Sequence, residues 1–489
     1  MSSSNLFTGC GFSGGLNRFF LTKNFSIVFL IMTAMLVFSS GCNPAKSHLN
    51  SFNSKVESGC LNGMNLEAAA LYAESKIPAE DKEKPSGEDL LWTLQGGYVE
   101  RMRQDHEKSS KYFERSEEML NYYDNQNVVV DTVAATLVND NVVPYTGHEY
   151  DGIMLNTYKA MTYMLLGQED AARVEFNRAI DRQRRVTEKY EKEIAEIKQE
   201  FEETEKEAGA LTKQALESTE LQEKIAEQFP GLHEYEPYPD FVNPFTTYIA
   251  GVYFNLVGDH EKAADLIKKT YGMVGDNDYI GEDLIETEAA LQGTGKIENT
   301  LWVFFENGLG PIKTEQRIDL PLFIATDKVK YFGIALPKLE FRDEAYEFIS
   351  VKAGEEVYQS KTVAHMDRVV QTEFEKDFQA IVFRAVMSAT VKAIAQYALE
   401  EQGSSGSSMA SWIMAGYTLA TTTADVRMWT MLPKNFQVAR LGIPESREIE
   451  IYVEEGRPYE FKIPDCSNAL LYVRIPYKGS EPVFDLVTY

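Results

Sequence analysis

Two polar sets lie close together in the middle of the chain. The first is Tyr145-x-Gly147-x-Glu149-Tyr150-Asp151, followed by Asn156, Tyr158 and Tyr163; the second is Glu175, Asn177, Arg178, Arg182 and Gln183. Arg178 and Arg182 are four residues apart, so on a helix their guanidiniums share a face. On one helical pair, Tyr145, Glu149, Asn156, Tyr158, Tyr163, Glu175, Asn177, Arg178 and Arg182 are candidates to line a groove for a protein or peptide segment. The competing reading is a structural hydrogen-bond cluster that ties a loop to the helices. Catalysis finds little here, because no nucleophile is paired with a base at a readable spacing.

Other chemistry is thinner still. Ala424-Asp425-Val426-Arg427-x-Trp429-x-x-Leu432-Pro433 offers an ion pair and a large apolar anchor, and reads as a helix-to-strand corner. Glu306, Asp319 and Glu340 are acids of the C-terminal region without a sequence relation that pairs them. No Gly-rich phosphate loop, serine elbow or HExxH motif is present. The six histidines form no Cys/His cluster and no CxxC occurs, so neither a zinc site nor another metal or cofactor is expected.

The elements that must carry these residues begin with an apolar run, Ile27 to Phe38, preceded by Arg18 and Lys23 and closed by Ser39-Ser40-Gly41-Cys42. A positive start, an apolar core and small residues mark a secretory signal. With Cys after the small residues the pattern resembles a bacterial lipobox. That resemblance implies a signal peptide over residues 1–41 and lipidation of Cys42. The apolar run is short for a membrane span, which needs about 20 residues.

The chain has 489 residues, enough for two or three domains. Its formal net charge is −27, and loss of the leader removes Arg18 and Lys23 but no acid. This balance argues against nucleic acid or an anionic bilayer as the main partner, since phosphate binding needs clustered Lys and Arg. Cys60 and Cys466 remain after Cys10 and Cys42 are assigned to the leader and the lipid. An oxidising compartment would permit their pairing, but two positions do not decide it.

Residues 42–88 are rich in Ser, Asn, Glu, Lys and Pro and read as tether and linker, with one short helix around Leu66, Ala69, Ala70 and Ala73. Residues 89–298 carry a repeat. Ala160, Tyr163, Gly167, Ala172, Phe176 and Ala179 recur, displaced by 91 residues, as Gly251, Phe254, Gly258, Ala263, Ile267 and Thr270. Gly97, Ser109, Phe113 and Ser116 form a weaker copy. Small residues let two helices approach, large ones fill between them, and Gly167 and Gly258 end the first helix in the left-handed region. The spacing resembles the tetratricopeptide repeat. Residues 182–229 are highly charged and read as a helical arm inserted in the array. Val128 to Tyr145 reads as a hairpin or loop, and Gly272 to Gly295 as loop-rich.

After Asn299 the pattern turns to strands at Leu301–Phe305, Ile318–Ile324, Tyr331–Leu336, Phe436–Leu441, Glu448–Val453, Tyr459–Ile463 and Leu470–Ile475. A long helix over His365 to Glu400 and a buried one over Trp412 to Thr422 accompany them. The expected fold is therefore multidomain: an α-helical, tetratricopeptide-like solenoid, then an α+β domain with an antiparallel sheet over residues 299–489.

The lipobox, the Tyr145 to Arg178 stretch and the Ala424 to Pro433 stretch together resemble a family of Gram-negative tetratricopeptide-type envelope lipoproteins. The resemblance implies a lipid-anchored protein at the periplasmic face of the outer membrane. From the residues comes the expectation of a non-catalytic scaffold that binds an envelope protein or peptide. The alternatives are an enzyme acting on cell-wall polymer through C-terminal acids, or a subunit of a secretion or motility complex.

Overall fold

Small residues set opposite large ones build the helical half. An added Cβ at Gly97 would stand 2.5 Å from the Phe113 ring, and one at Gly251 would stand 2.7 Å from Ile267 Cγ1. These contacts bring together helices α3 (Asp89–Met102) and α4 (His106–Asn125), and α8 (Pro244–Leu256) and α9 (His260–Val274). Between them stands the pair α5 (Glu149–Leu165) and α6 (Glu169–Glu203), with Ala160 and Phe176 both fully buried. Gly167 and Gly258 adopt φ of +69° and +80°, as the turn chemistry requires. The computed structural model describes residues 44–79, 84–125, 143–203, 212–232, 238, 242–275, 277–319, 333–401, 418, 421–454 and 456–489. The expected signal peptide, Cys42, most of the 128–145 hairpin and most of the 412–422 helix lie outside them.

The short helix expected around Leu66 to Ala73 is present as α2 (Glu67–Glu74), and two stretches read as irregular are helical as well. Within the supposed tether, α1 (Pro44–Leu61) and α2 (Glu67–Glu74) pack as a further hairpin. Leu49, Phe52, Val56 and Cys60 of α1 are buried, and Phe52 meets Trp92 of α3 edge to face. Within the supposed loop, α10 (Asp278–Leu291) buries Ile280, Asp283 and Thr287. The charged arm begins as a direct continuation of α6 and returns through α7 (Thr219–Gln228).

Strand β1 (Thr300–Asn307) shows why the C-terminal half is layered. Side chains alternate between faces, so Trp302, Phe304 and Glu306 meet the helices while Leu301, Val303 and Phe305 turn away. β1 is central in a five-stranded sheet with β6 (Lys361–His365), β7 (Asn435–Gly442), β10 (Asn468–Ile475) and β11 (Val483–Thr488), in the order β11-β10-β1-β7-β6. The sheet is mixed, because β1 and β10 run parallel while the other pairs are antiparallel. Its far face packs on β4 (Ser350–Ala353), β5 (Glu356–Gln359), β8 (Glu448–Tyr452) and β9 (Tyr459–Lys462), which form a second, antiparallel sheet. A hairpin of β2 (Ile312–Asp319) and β3 (Gly333–Glu340) rests on the long helix α11 (Met366–Glu401).

The first helix of each repeat pair is buried almost all round. In α5 every residue from Tyr150 to Met164 is buried, and in α8 every residue from Pro244 to Asn255. Their second helices cover one side and the five-stranded sheet covers the other. Phe245 stacks on Phe436 with ring centres 3.8 Å apart, and the Tyr98 and Tyr158 hydroxyls both donate to Glu306 Oε2, at 2.8 and 3.1 Å. The regions either side of residue 298 therefore share one apolar core. Among the described residues no helix is long and apolar enough to cross a membrane.

Candidate functional site

The candidate groove residues divide among three places. Tyr158 is fully buried beneath the sheet, where its hydroxyl serves Glu306, so it cannot touch a partner. The sheet fills the inner face of the helical array, and this removes Tyr158 from the expected groove. Tyr145 and Glu149 lie at the start of α5, in a separate cluster. Asn177, Arg178 and Arg182 do line an open cleft of about 730 Å³ along α6.

Behind that cleft stands a dense polar network. Asn156 donates to Glu117 Oε1 (3.0 Å) and Glu175 Oε2 (2.7 Å), and its carbonyl accepts from Arg182 Nε (2.8 Å). Lys159 bonds Glu117 and lies 3.1 Å from Glu175 Oε1; Arg178 reaches the same two acids at 3.1 and 2.8 Å. Burial alone would raise the Glu117 carboxyl, but Lys159, Asn156 and Arg178 hold it below its ordinary value. Tyr163 donates to Glu114 Oε1 at 2.8 Å, at the margin of this network.

The cleft itself is cationic. Arg178, Arg182, Arg184, Arg185 and Lys262 face it against Glu117 and Asp181. Lys262 Nζ bonds Asn177, and Arg184 and Arg185 bond Asp181, so several side chains are already oriented. Arg178 is 51% exposed, and Val174 supplies an exposed apolar spot beside it.

The second cluster brings together the two motifs that stand furthest apart. Tyr145 donates to Asp151 Oδ2 (2.5 Å), which also accepts from the His148 N–H (2.9 Å). The Glu149 and Tyr150 N–H groups open α5 and donate to the Glu373 carboxylate of α11, at 2.9 and 3.2 Å. An anion at a helix N-terminus is favoured by the helix dipole. Arg427 grips Asp425 through two bonds, 2.9 and 2.7 Å, and donates to the Val143 carbonyl at 2.8 Å. From β2, Lys313 Nζ lies 2.9 Å from His148 Nε2, and Glu315 accepts from the Ala424 N–H.

No family model, curated protein or solved structure matches this chain.

Electrostatics in the second cluster is set by burial. It pushes His148 down to about 4, with the Lys313 charge acting in the same direction, and raises Asp377 to about 6, with Glu373 adding repulsion. Burial also lowers the Lys313 amine, opposed by Asp425, Asp377, Glu373 and Asp151. Asp425 is held low because Arg427 outweighs its burial. The Asp425–Arg427 ion pair read from the sequence is present, and its guanidinium also lies over the Tyr145 ring of the first motif; most of the helix it was expected to join to the sheet lies outside the described residues. Lys313, Glu373 and Asp377 had no motif to mark them. For Glu373 and Asp377 the one trace in sequence is the i, i+4 spacing of two acids on a helix that carries several other charges.

The C-terminal acids do not converge. Glu306 is buried and accepts from Tyr98, Tyr158 and Arg101. Asp319 pairs with Gly333 at one end of the β2–β3 hairpin, and Glu340 with Ile312 at the other. Cys60 and Cys466 are both free thiols, and burial pushes Cys60 up to about 12.

Proposed function

We propose that this chain is a lipid-anchored, non-catalytic scaffold of the bacterial envelope, whose tetratricopeptide-like helical array binds an acidic protein segment in the cleft along α6. The observation that carries the reading is the cationic cleft, with Arg178, Arg184, Arg185 and Lys262 on one open face of a chain whose net charge is −27. Opposite potentials steer encounter and select partners. The inner face, where such arrays commonly dock peptides, is filled by the chain's own sheet, which leaves the second-helix side for recognition. The lipobox at Cys42 supports anchoring, and the periplasmic face of the outer membrane follows from the family resemblance.

The test is crosslinking in whole cells at native level, with membrane fractionation, comparing wild type with the Arg178→Glu/Arg185→Glu double variant. The expected result is one adduct in the outer-membrane fraction, joined through α6 to an acidic segment and lost in the variant. An adduct that persists undiminished in a folded variant overturns the cleft assignment.

A further inference from the structure

His148, Glu373 and Asp377 are brought together by two elements that the chain visits far apart. Glu373 and Asp377 are four residues apart on α11 and share a helical face, while His148 caps the start of α5. One donor atom from each can be chosen so that all lie within 4.8 Å of one another. One of these contacts, His148 Nδ1 to Glu373 Oε1, is 3.3 Å. Two ligands at about 2.1 Å from one tetrahedral ion stand about 3.4 Å apart. We propose that His148, Glu373 and Asp377 form a binding site for a divalent transition-metal cation, of the kind that accepts one imidazole and two carboxylates.

Two further observations point the same way. Asp151 is fully buried, and although its Oδ2 accepts from Tyr145 and His148, its Oδ1 has no donor among the described residues. Its carboxylate accepts the His148 N–H at 2.9 Å, so it stands beside the first proposed ligand. A buried carboxylate oxygen left without a donor is costly, and a cation nearby would relieve it.

Charge balance is the second. Asp425 binds Arg427 and also acts on Lys313, as do Asp377, Glu373 and Asp151, so four carboxylates stand against the cations Arg427, Lys313 and Arg384. Mixed nitrogen and oxygen donors suit manganese, iron or zinc better than magnesium or calcium, which take oxygen donors. Lys313 is the competitor. It lies against His148 Nε2, where a metal-bound imidazole ordinarily faces an acceptor, so its ammonium opposes the bound ion.

The experiment uses the untagged full-length chain in detergent, stripped with chelator and titrated separately with Mn²⁺, Zn²⁺ and Mg²⁺. Calorimetry and thermal unfolding are recorded for wild type, Asp377→Asn and Lys313→Met. The expected result is saturable one-to-one binding of Mn²⁺ or Zn²⁺ with a raised Tm, at least tenfold weaker in Asp377→Asn, severalfold tighter in Lys313→Met, and weaker for Mg²⁺. Lys313→Met alters no ligand atom and decides the question if Asp377→Asn does not fold. Absence of saturable binding, or binding unchanged in the folded variants, overturns the proposal.

Discussion

Lys159 shows how one residue can govern a buried network. Its ammonium joins Glu117 and Glu175, which also hold Asn156 and Arg178. Lys159→Met leaves two buried carboxylates short of a cation and is expected to cost about 3 kcal/mol at neutral pH. The sign of its pH dependence follows from Glu117, whose carboxyl is lower in the folded chain than its ordinary 4.5. That contribution is fully present above pH 4.5 and is lost as pH falls through the lower folded value. The Tm gap between wild type and Lys159→Met should therefore be widest near pH 7 and narrow below about pH 4.5; thermal melts from pH 7 to pH 3.5 measure it, and a constant gap contradicts the assignment.

At the scale of elements, the repeat is legible because its spacing has a steric cause. Gly97 meets Phe113 and Gly251 meets Ile267, so the small-to-large pattern is a packing rule. Gly251→Val is expected to destabilise by about 1–3 kcal/mol through overpacking. Adding Ile267→Ala should recover part of that loss, since the two residues touch. Urea unfolding of the single and double variants measures the coupling, and strict additivity refutes the contact.

Helix α1 was hidden by its composition. Leu49, Phe52, Val56 and Cys60 form a helical stripe, but the Ser, Asn and Lys between them look like a linker. Helix α10 was masked by Gly272, Gly275 and Gly281 in and before it. The polar junction left still less trace, because its members come from four segments and only folding brings His148, Lys313, Glu373 and Asp425 together.

At the scale of the molecule, the sheet is the inner wall of the helical array. Arg101 links α3 to Glu306 of β1 and Asp485 of β11, and Arg440 of β7 reaches Asp283 of α10 at 2.7 Å. Asp283 also accepts from Tyr248 and Trp302, so a single carboxylate joins α8, α10 and two strands. Separating residues 42–298 from 299–489 would expose the apolar faces of α3, α5 and α8 to water. Calorimetry of the whole chain should show one cooperative transition, and each half expressed alone should fail to give a soluble, cooperatively folded product. Two independent transitions would show that the shared core does not bind the halves together.

Pro44 already belongs to helix α1, and the proposed acylation site, Cys42, stands two residues before it in the sequence. Successive Cα atoms are about 3.8 Å apart, so the leash spans about 8 Å at most. If Cys42 carries the proposed lipid, such a leash would hold α1 near the headgroups and keep the folded body from sweeping the space above the bilayer. A partner of the proposed cleft along α6 would then have to come down to the membrane surface to meet it.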